Sequence, residues 1–158
     1  MPILAKLREF LDANHVHYEV RSHPEAFTAQ AVAESEHIPG REVAKAVMLR
    51  SGDAYLMIVV AAPDRVNLQR ARHASGQTDL HLASEEEFSR LFPQCEPGAM
   101  PPFGNLYGIP VWVDEALTKQ PEIVFNAGNH RQTVHMAYAD FTRLVQPQVF
   151  AVAAPDRR

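Results

Sequence analysis

The sequence predicts an α+β (mixed α/β) fold with a curved or closed sheet whose outer faces helices can cover. Three observations predict it. Helical and strand-like periodicities follow one another irregularly along the chain. Links such as Ser51-Gly52-Asp53 are short enough for a hairpin, which favours antiparallel neighbours. Strict strand–helix–strand repetition is absent, which argues against a doubly wound sheet.

Taken in order, Ile3 to Asn14 reads as a first helix, with Leu4, Leu7, Phe10 and Leu11 on one face. Val16 to Arg21 alternates as a short strand, broken by Ser22-His23-Pro24 because the residue before proline avoids helix. Thr28 caps a helix through Ala29, Val32 and Ala33, which Ile38-Pro39-Gly40 ends. Val43 to Leu49 is a strand carrying Lys45 on the side of Val43, Val47 and Leu49. Ala54 to Ala61 is apolar on both faces and therefore a central or doubly covered strand. Pro63-Asp64 opens a helix with Asp64 as cap and Val66, Leu68 and Ala71 inside, while Arg65, Arg70 and Arg72 make its other side basic. Thr78 to Ala83 is a short strand, and Ser84 with Glu87 forms a capping box for the helix of Phe88 and Leu91, stopped by Pro93. Proline within Ile109 to Val113 marks an edge strand or a bulge. Glu122 to Phe125 and Thr133 to Met136 form two more strands around the Asn126-Ala127-Gly128-Asn129 turn. Asp140 caps a last helix with Phe141, Leu144 and Val145 inward, and Ala151 to Arg158 is a frayed tail.

The 158 residues suit a single domain spanning 1–158 with a real core, and their 46% hydrophobic content is that of a globular chain. A net charge of −4 excludes the broad basic surface that grips duplex DNA, but leaves room for a local contact to a nucleic-acid end. Cys95 is the single cysteine, so no internal disulfide forms and a cytoplasmic location fits. Its neighbours, Phe92 to Pro97, offer no base to activate it. No apolar run has the length of a membrane span. Among the eight histidines no Cys/His pair has zinc-finger spacing, so no metal or other cofactor is expected.

Three stretches carry candidate chemistry. An ammonium among strand residues is costly to bury, so Lys45 snorkels, sits on an edge, or meets an internal partner or an anionic ligand. Pro97-Gly98-Ala99-Met100-Pro101-Pro102-Phe103-Gly104 brackets two prolines with two glycines. It is either a rigid connection or a stiff loop presenting main-chain groups that polarise a carbonyl. Phe125 to His130 is either a plain hairpin turn or a way to set an amide and an imidazole beside a pocket.

Taken together and in this order, these stretches resemble the YbaK and prolyl-tRNA-synthetase-associated editing-domain family, over roughly residues 16 to 146. The likeness is carried by His23-Pro24 and Phe27-Thr28, by Lys45, and by Gly98-Ala99-Met100-Pro101-Pro102-Phe103-Gly104. It continues through Val111-Trp112-Val113-Asp114 and Asn126-Ala127-Gly128. Two positions depart from better-known branches: Ala46 follows the lysine where others have Asn or Thr, and Asn126 to His130 replaces other turn versions.

The resemblance implies a mixed sheet curled into a barrel-like core with helices packed outside. It implies a cytoplasmic trans-editing enzyme that hydrolyses the ester between a wrong amino acid and the terminal adenosine of a tRNA. No metal or cofactor is implied. The expected partner is the acceptor end of aminoacyl-tRNA, with an aminoacyl-tRNA synthetase as a second, and no membrane or DNA. Lys45 maps to the functionally required lysine, and Gly98 and Gly128 are expected to supply backbone N–H groups to the oxyanion. Phe27, Thr28, Met100, Pro102, Phe103, Gly104, Asn126 and His130 are expected around the substrate. Stiff loops exclude large side chains, so a small residue (Ala, Cys, Ser, Thr or Pro) is expected. The alternatives are a non-catalytic module that binds aminoacyl-tRNA or an amino acid, and a hydrolase of another small ester.

Overall fold

The computed structural model describes residues 3–155. In chain order its elements are α1 (Ala5–Ala13), β1 (Tyr18–Ser22), α2 (Ala29–Glu36), β2 (Ala44–Ser51), β3 (Ala54–Ala61), β4 (Asp64–Val66), α3 (Leu68–Ser75), β5 (His81–Leu82), α4 (Glu85–Leu91), β6 (Val111–Asp114), β7 (Glu122–Asn126), β8 (Gln132–Ala137), α5 (Tyr138–Val145), β9 (Gln148–Phe150) and β10 (Ala153–Pro155). Short 3-10 turns precede β2 and flank β6.

The strands form a mixed five-stranded sheet ordered β5-β2-β3-β6-β9, a three-stranded sheet ordered β1-β8-β7, and the pair β10-β4. β3 sits in the middle of the largest sheet, antiparallel to β2 and parallel to β6. Both faces of β3 are covered, which explains its unbroken apolar run. Met57, Val59 and Ala61 enter the main core with the α1 and α5 side chains Leu7, Leu11 and Phe141. Leu56, Ile58 and Val60 enter a second cluster with Ala71, Leu80, Trp112 and Val152. The three-stranded sheet is two-faced. Ile123, Phe125, Val134 and Met136 join the main core, while Val124, Thr133 and His135 lie on the other face, where Val124 packs with Ala33 of α2.

The two larger sheets touch at one isolated parallel bridge, Val43–Val124. The sheets are open: among the described residues none closes on itself.

Local chemistry matches several expectations. Thr28 Oγ1 accepts the Ala31 N–H at 3.0 Å, and the Ser84–Glu87 capping box is complete. Gly52, at φ +58°, opens the two-residue link between β2 and β3.

Other expectations are corrected by long-range pairing. Asp64 lies in β4, opposite Pro155 of β10, and the α3 cap is Asn67, whose Oδ1 accepts the Arg70 N–H at 3.1 Å. Arg72 donates to Leu80 O at 2.8 Å, so the arginines do not form one free basic face. The expected strand over 78–83 shrinks to β5. Pro110 precedes β6, which is an internal strand between β3 and β9, and Pro110 O accepts the Met57 N–H at 3.0 Å. Asp140 lies inside the first turn of α5, after an Ala137 cap without a side-chain bond.

The expected frayed tail is paired as far as residue 155, and residues 156–158 lie outside the described residues. Asp114 holds that tail. Its buried carboxylate accepts the Val152 and Ala153 N–H groups on Oδ1 and the Ala116 N–H on Oδ2, each at 3.1 Å. Asp114→Ala leaves those donors unpaired and is expected to cost at least about 2 kcal/mol in urea unfolding, with proteolysis appearing after residue 147.

Candidate functional site

The site lies where β2 and β7 part. Beyond the Val43–Val124 bridge, β2 stays with β3 and β7 stays with β8. The wedge between Ala46 and Asn126 is roofed by the segment leading into α2 and by the loop around Gly98. It encloses a cavity of about 400 Å³. Phe27, Thr28, Lys45, Gly98, Met100 and Asn126 line it together, from four separate stretches of chain. The small side chains of Ala29, Ala44, Ala46 and Ala62 keep the space open.

Lys45 is half-buried, and its Nζ donates to Ala62 O at 3.1 Å. Antiparallel pairing of β2 with β3 brings Ala62 next to Val43, so the acceptor is supplied by the hairpin that carries the lysine. Asp64, just beyond, is close enough to feel the ammonium. Burial and the Asp114 charge push the Asp64 carboxyl up, and Lys45 pulls it back. Phe27 is 67% exposed at the cavity mouth, with its ring centroid 5.0 Å from that of His130. Asn126 Oδ1 is buried and has no hydrogen-bond partner among the described residues.

The Gly98 loop is held by bonds to the β7–β8 turn. Gly128 N–H donates to Ala99 O at 2.8 Å, and Glu96 N–H donates to Gly128 O at 2.8 Å. Glu96 Oε1 accepts the His130 N–H at 2.9 Å. His130 Nε2 lies 2.8 Å from Pro97 O and must donate, since a carbonyl only accepts. Gly98 itself has φ +82°, a left-handed conformation that other residues adopt at a cost.

Several expected residues are near the pocket without lining it. Phe103 is fully buried, its ring against those of Phe10, Phe125 and Phe141 at 5.4–6.2 Å. Pro102 is buried beside it. A Cβ on Gly104 would come within 2.9 Å of Ile109 O, so that glycine permits close packing of the chain on itself. His130 lies under Phe27 and Gly98 as a brace. Gly128 does not offer its N–H to an oxyanion, because Ala99 O already takes it. Sequence reasoning missed Gln30, Ala29 and Ala62. The register of the β2–β3 hairpin was the signal that could have placed Ala62.

Cys95 takes no part. Burial pushes its thiol up to about 11, against a smaller downward pull from the hydrogen bond to Tyr107. Among the described residues no group of three or more His, Cys, Asp or Glu could hold a metal ion, and no helix is long and apolar enough to cross a membrane.

A stiff-loop cavity with one lysine, set between two parted strands of an α+β domain, defines a class of small-ligand site. Comparison with known proteins narrows it. The model of the aminoacyl-tRNA editing domain matches residues 23–144, so the chain belongs to the aminoacyl-tRNA editing domain family. It is 26% identical over 149 residues to the multifunctional Ser/Thr-tRNA deacylase ProXp-y of Escherichia coli (strain K12), covering 91% of this chain and 89% of that one. It is 28% identical over 109 residues to the proline–tRNA ligase of Shouchella clausii (strain KSM-K16), covering 69% of this chain but only 19% of that synthetase. A solved structure described as a trans-editing candidate for prolyl tRNA synthetase superposes with a TM-score of 0.82 at 22% identity, over 94% of this chain and 95% of that one. This last likeness establishes the fold.

Two outcomes follow. At pH 7.5 the Cys95 thiol stays protonated, so iodoacetamide is expected to leave the native protein unmodified by mass spectrometry. Gly128→Ala puts a Cβ at φ +106° and 3.1 Å from Leu4 Cβ. It is expected to cost about 1–3 kcal/mol in chemical denaturation.

Proposed function

We propose that this protein is a cytoplasmic trans-editing deacylase that hydrolyses the ester between a small, mischarged amino acid and the terminal adenosine of a tRNA. The observation that carries the reading is the meeting of Lys45, the Gly98 loop and Phe27-Thr28 in one cavity. The family and the Ser/Thr-tRNA deacylase among the relatives support it.

An aminoacyl ester is already activated, so the site needs to orient it and stabilise charge rather than supply a nucleophile. The Lys45 ammonium, steadied by Ala62 O, binds the terminal phosphate or ribose of the acceptor end. The amino acid enters the wedge between β2 and β7. Water, oriented by the neighbouring ribose hydroxyl, adds to the ester carbonyl. Backbone N–H groups of the Gly98 loop stabilise the oxyanion. The carbonyl–oxygen ester bond then breaks, and the ribose oxygen leaves with a proton. Rigid walls set by Gly98, Met100 and the Ala44–Ala46 floor favour Ala, Cys, Ser, Thr or Pro. The acidic overall charge confines contact to the acceptor end of the tRNA, with a synthetase as the source of the mischarged substrate.

The test is a deacylation panel on tRNAs charged with those five amino acids. Wild-type protein is expected to release at least one of them, and Lys45→Ala to lower kcat/KM by about 100-fold or more with an unchanged circular dichroism spectrum. Full activity in Lys45→Ala overturns the assignment of the lysine. Saturable binding of aminoacyl-tRNA with no release would instead identify a binding module.

A further inference from the structure

A second polar cluster lies behind the pocket, and the chemistry above does not use it. Glu36 is the last residue of α2, and its side chain is 4% exposed. Both features disfavour a carboxylate, since burial removes its hydration and a helix C-terminus presents partial negative charge. Three side chains compensate. Thr133 Oγ1 donates to Glu36 Oε2 at 2.6 Å, His135 Nε2 lies 2.7 Å from Oε1, and His23 Nε2 lies 3.8 Å from Oε2. The two histidine side chains are 3% and 1% exposed. Burial pushes the Glu36 carboxyl up, but the bonds from His135 and Thr133 and the charges of His135 and His23 outweigh it and hold the group below the ordinary carboxylate value. Replacing a buried ionic cluster by packed apolar groups is often neutral or stabilising, so stability alone does not account for this one.

Its placement does. His23 and Glu36 bracket the segment that sends Phe27, Thr28, Ala29 and Gln30 into the cavity. Both ends of the segment are fastened to β8 or to the residues just before it. His23 N–H donates to Arg131 O at 2.9 Å, and Ala26 N–H donates to His130 O at 3.0 Å. Thr133 stands directly across the β7–β8 ladder from Asn126, and cross-strand partners share a face. The Glu36 carboxylate therefore grips the sheet at the register position of a pocket residue. We infer that Glu36, through His135, Thr133 and His23, is a positioning residue that latches the Phe27–Gln30 lip of the pocket against Asn126 and Lys45. Only the kinetic arm of this inference rests on the deacylase reading.

Other charged groups face the latch. Glu122 of β7 lies 3.4 Å from His135 Nδ1. Glu19 and Arg21 of β1 stand opposite His135 and Thr133 and bond each other at 2.7 Å. Arg131 and Glu25 pair at 3.6 Å beside the lip. A carboxyl held below its ordinary value keeps its contribution above the usual glutamate range and loses it as pH falls through the lowered folded value. The carboxylate's contribution to the latch is thus full at neutrality and fades only below the ordinary glutamate range.

The experiment is amide hydrogen exchange of wild type and Glu36→Gln from pH 7 to pH 3, corrected for intrinsic rates, alongside kcat and KM near neutral pH on an aminoacyl-tRNA substrate. Glu36→Gln is expected to lower protection over 28–36 by about tenfold or more while β2 and β3 keep theirs. KM should rise about tenfold with kcat changed less than about threefold. Wild-type protection over 28–36 should hold down to the ordinary glutamate range and fall toward the variant's only below it. Thr133→Val, which removes one bond, should loosen the same segment to a smaller degree. Unchanged protection and KM in Glu36→Gln overturn the inference, as does a uniform loss across every strand, which marks a merely structural role. If the wild-type protein cleaves none of the esters, the deacylase reading falls, while the exchange data still decide the latch.

Discussion

The pocket exists because two strands touch once and then follow different partners. Val43 and Val124 bridge, but β2 is bound along its length to β3, and β7 to β8. Each strand keeps a second hydrogen-bonding edge, as β3 does between β2 and β6, but no β2–β7 ladder continues past the single bridge. The strands splay, and the gap is walled by whatever side chains stand at their inner edges. Here those are alanines, a lysine and an asparagine. The space for a ligand follows from where the two strands part together with the small side chains that stand there.

The two roofs over this gap are fixed by different means. On one side the Gly98 loop is tied by backbone bonds, with both polar groups of the Gly128 peptide unit's residue engaged. Prolines and a left-handed glycine leave that loop few alternatives. On the other side, the Phe27–Gln30 segment is held through buried side chains on Glu36, Thr133 and His135. Each roof also carries a titratable contact, Glu96 with the His130 N–H on the first and Glu36 with His135 on the second.

Much of this was legible in the sequence. The apolar run of β3, the Thr28 cap and the Ser84 capping box are local patterns with local causes, and they appear where periodicity put them. Of the eleven residues expected at the site, Lys45, Gly98, Met100, Phe27, Thr28 and Asn126 line one cavity, while Pro102, Phe103, Gly104, Gly128 and His130 do not. Sequence order named the right loops but not the direction in which their residues point. Phe103 and Gly104 belong to the same loop as Gly98 and turn into the core, because Phe125 and Phe141 offer aromatic faces there. Asp64 and Asn67 are both good caps three residues apart. Pairing of β4 with β10, nearly ninety residues later, decided between them. Glu36 was invisible for the same reason, since its partners Thr133 and His135 lie 97 and 99 residues away.

The Asp114 clamp on the end of the chain bears on how the molecule is made. β6 gains its second neighbour only from β9, and β4 pairs only with β10, both from the last dozen described residues. Parallel and long-range pairings form late because their loops must close first. During synthesis the edge of β6 therefore stays uncovered until residues 148–155 have left the ribosomal tunnel. β6 itself is made only at residues 111–114, so the five-stranded sheet completes only after translation of nearly the whole domain.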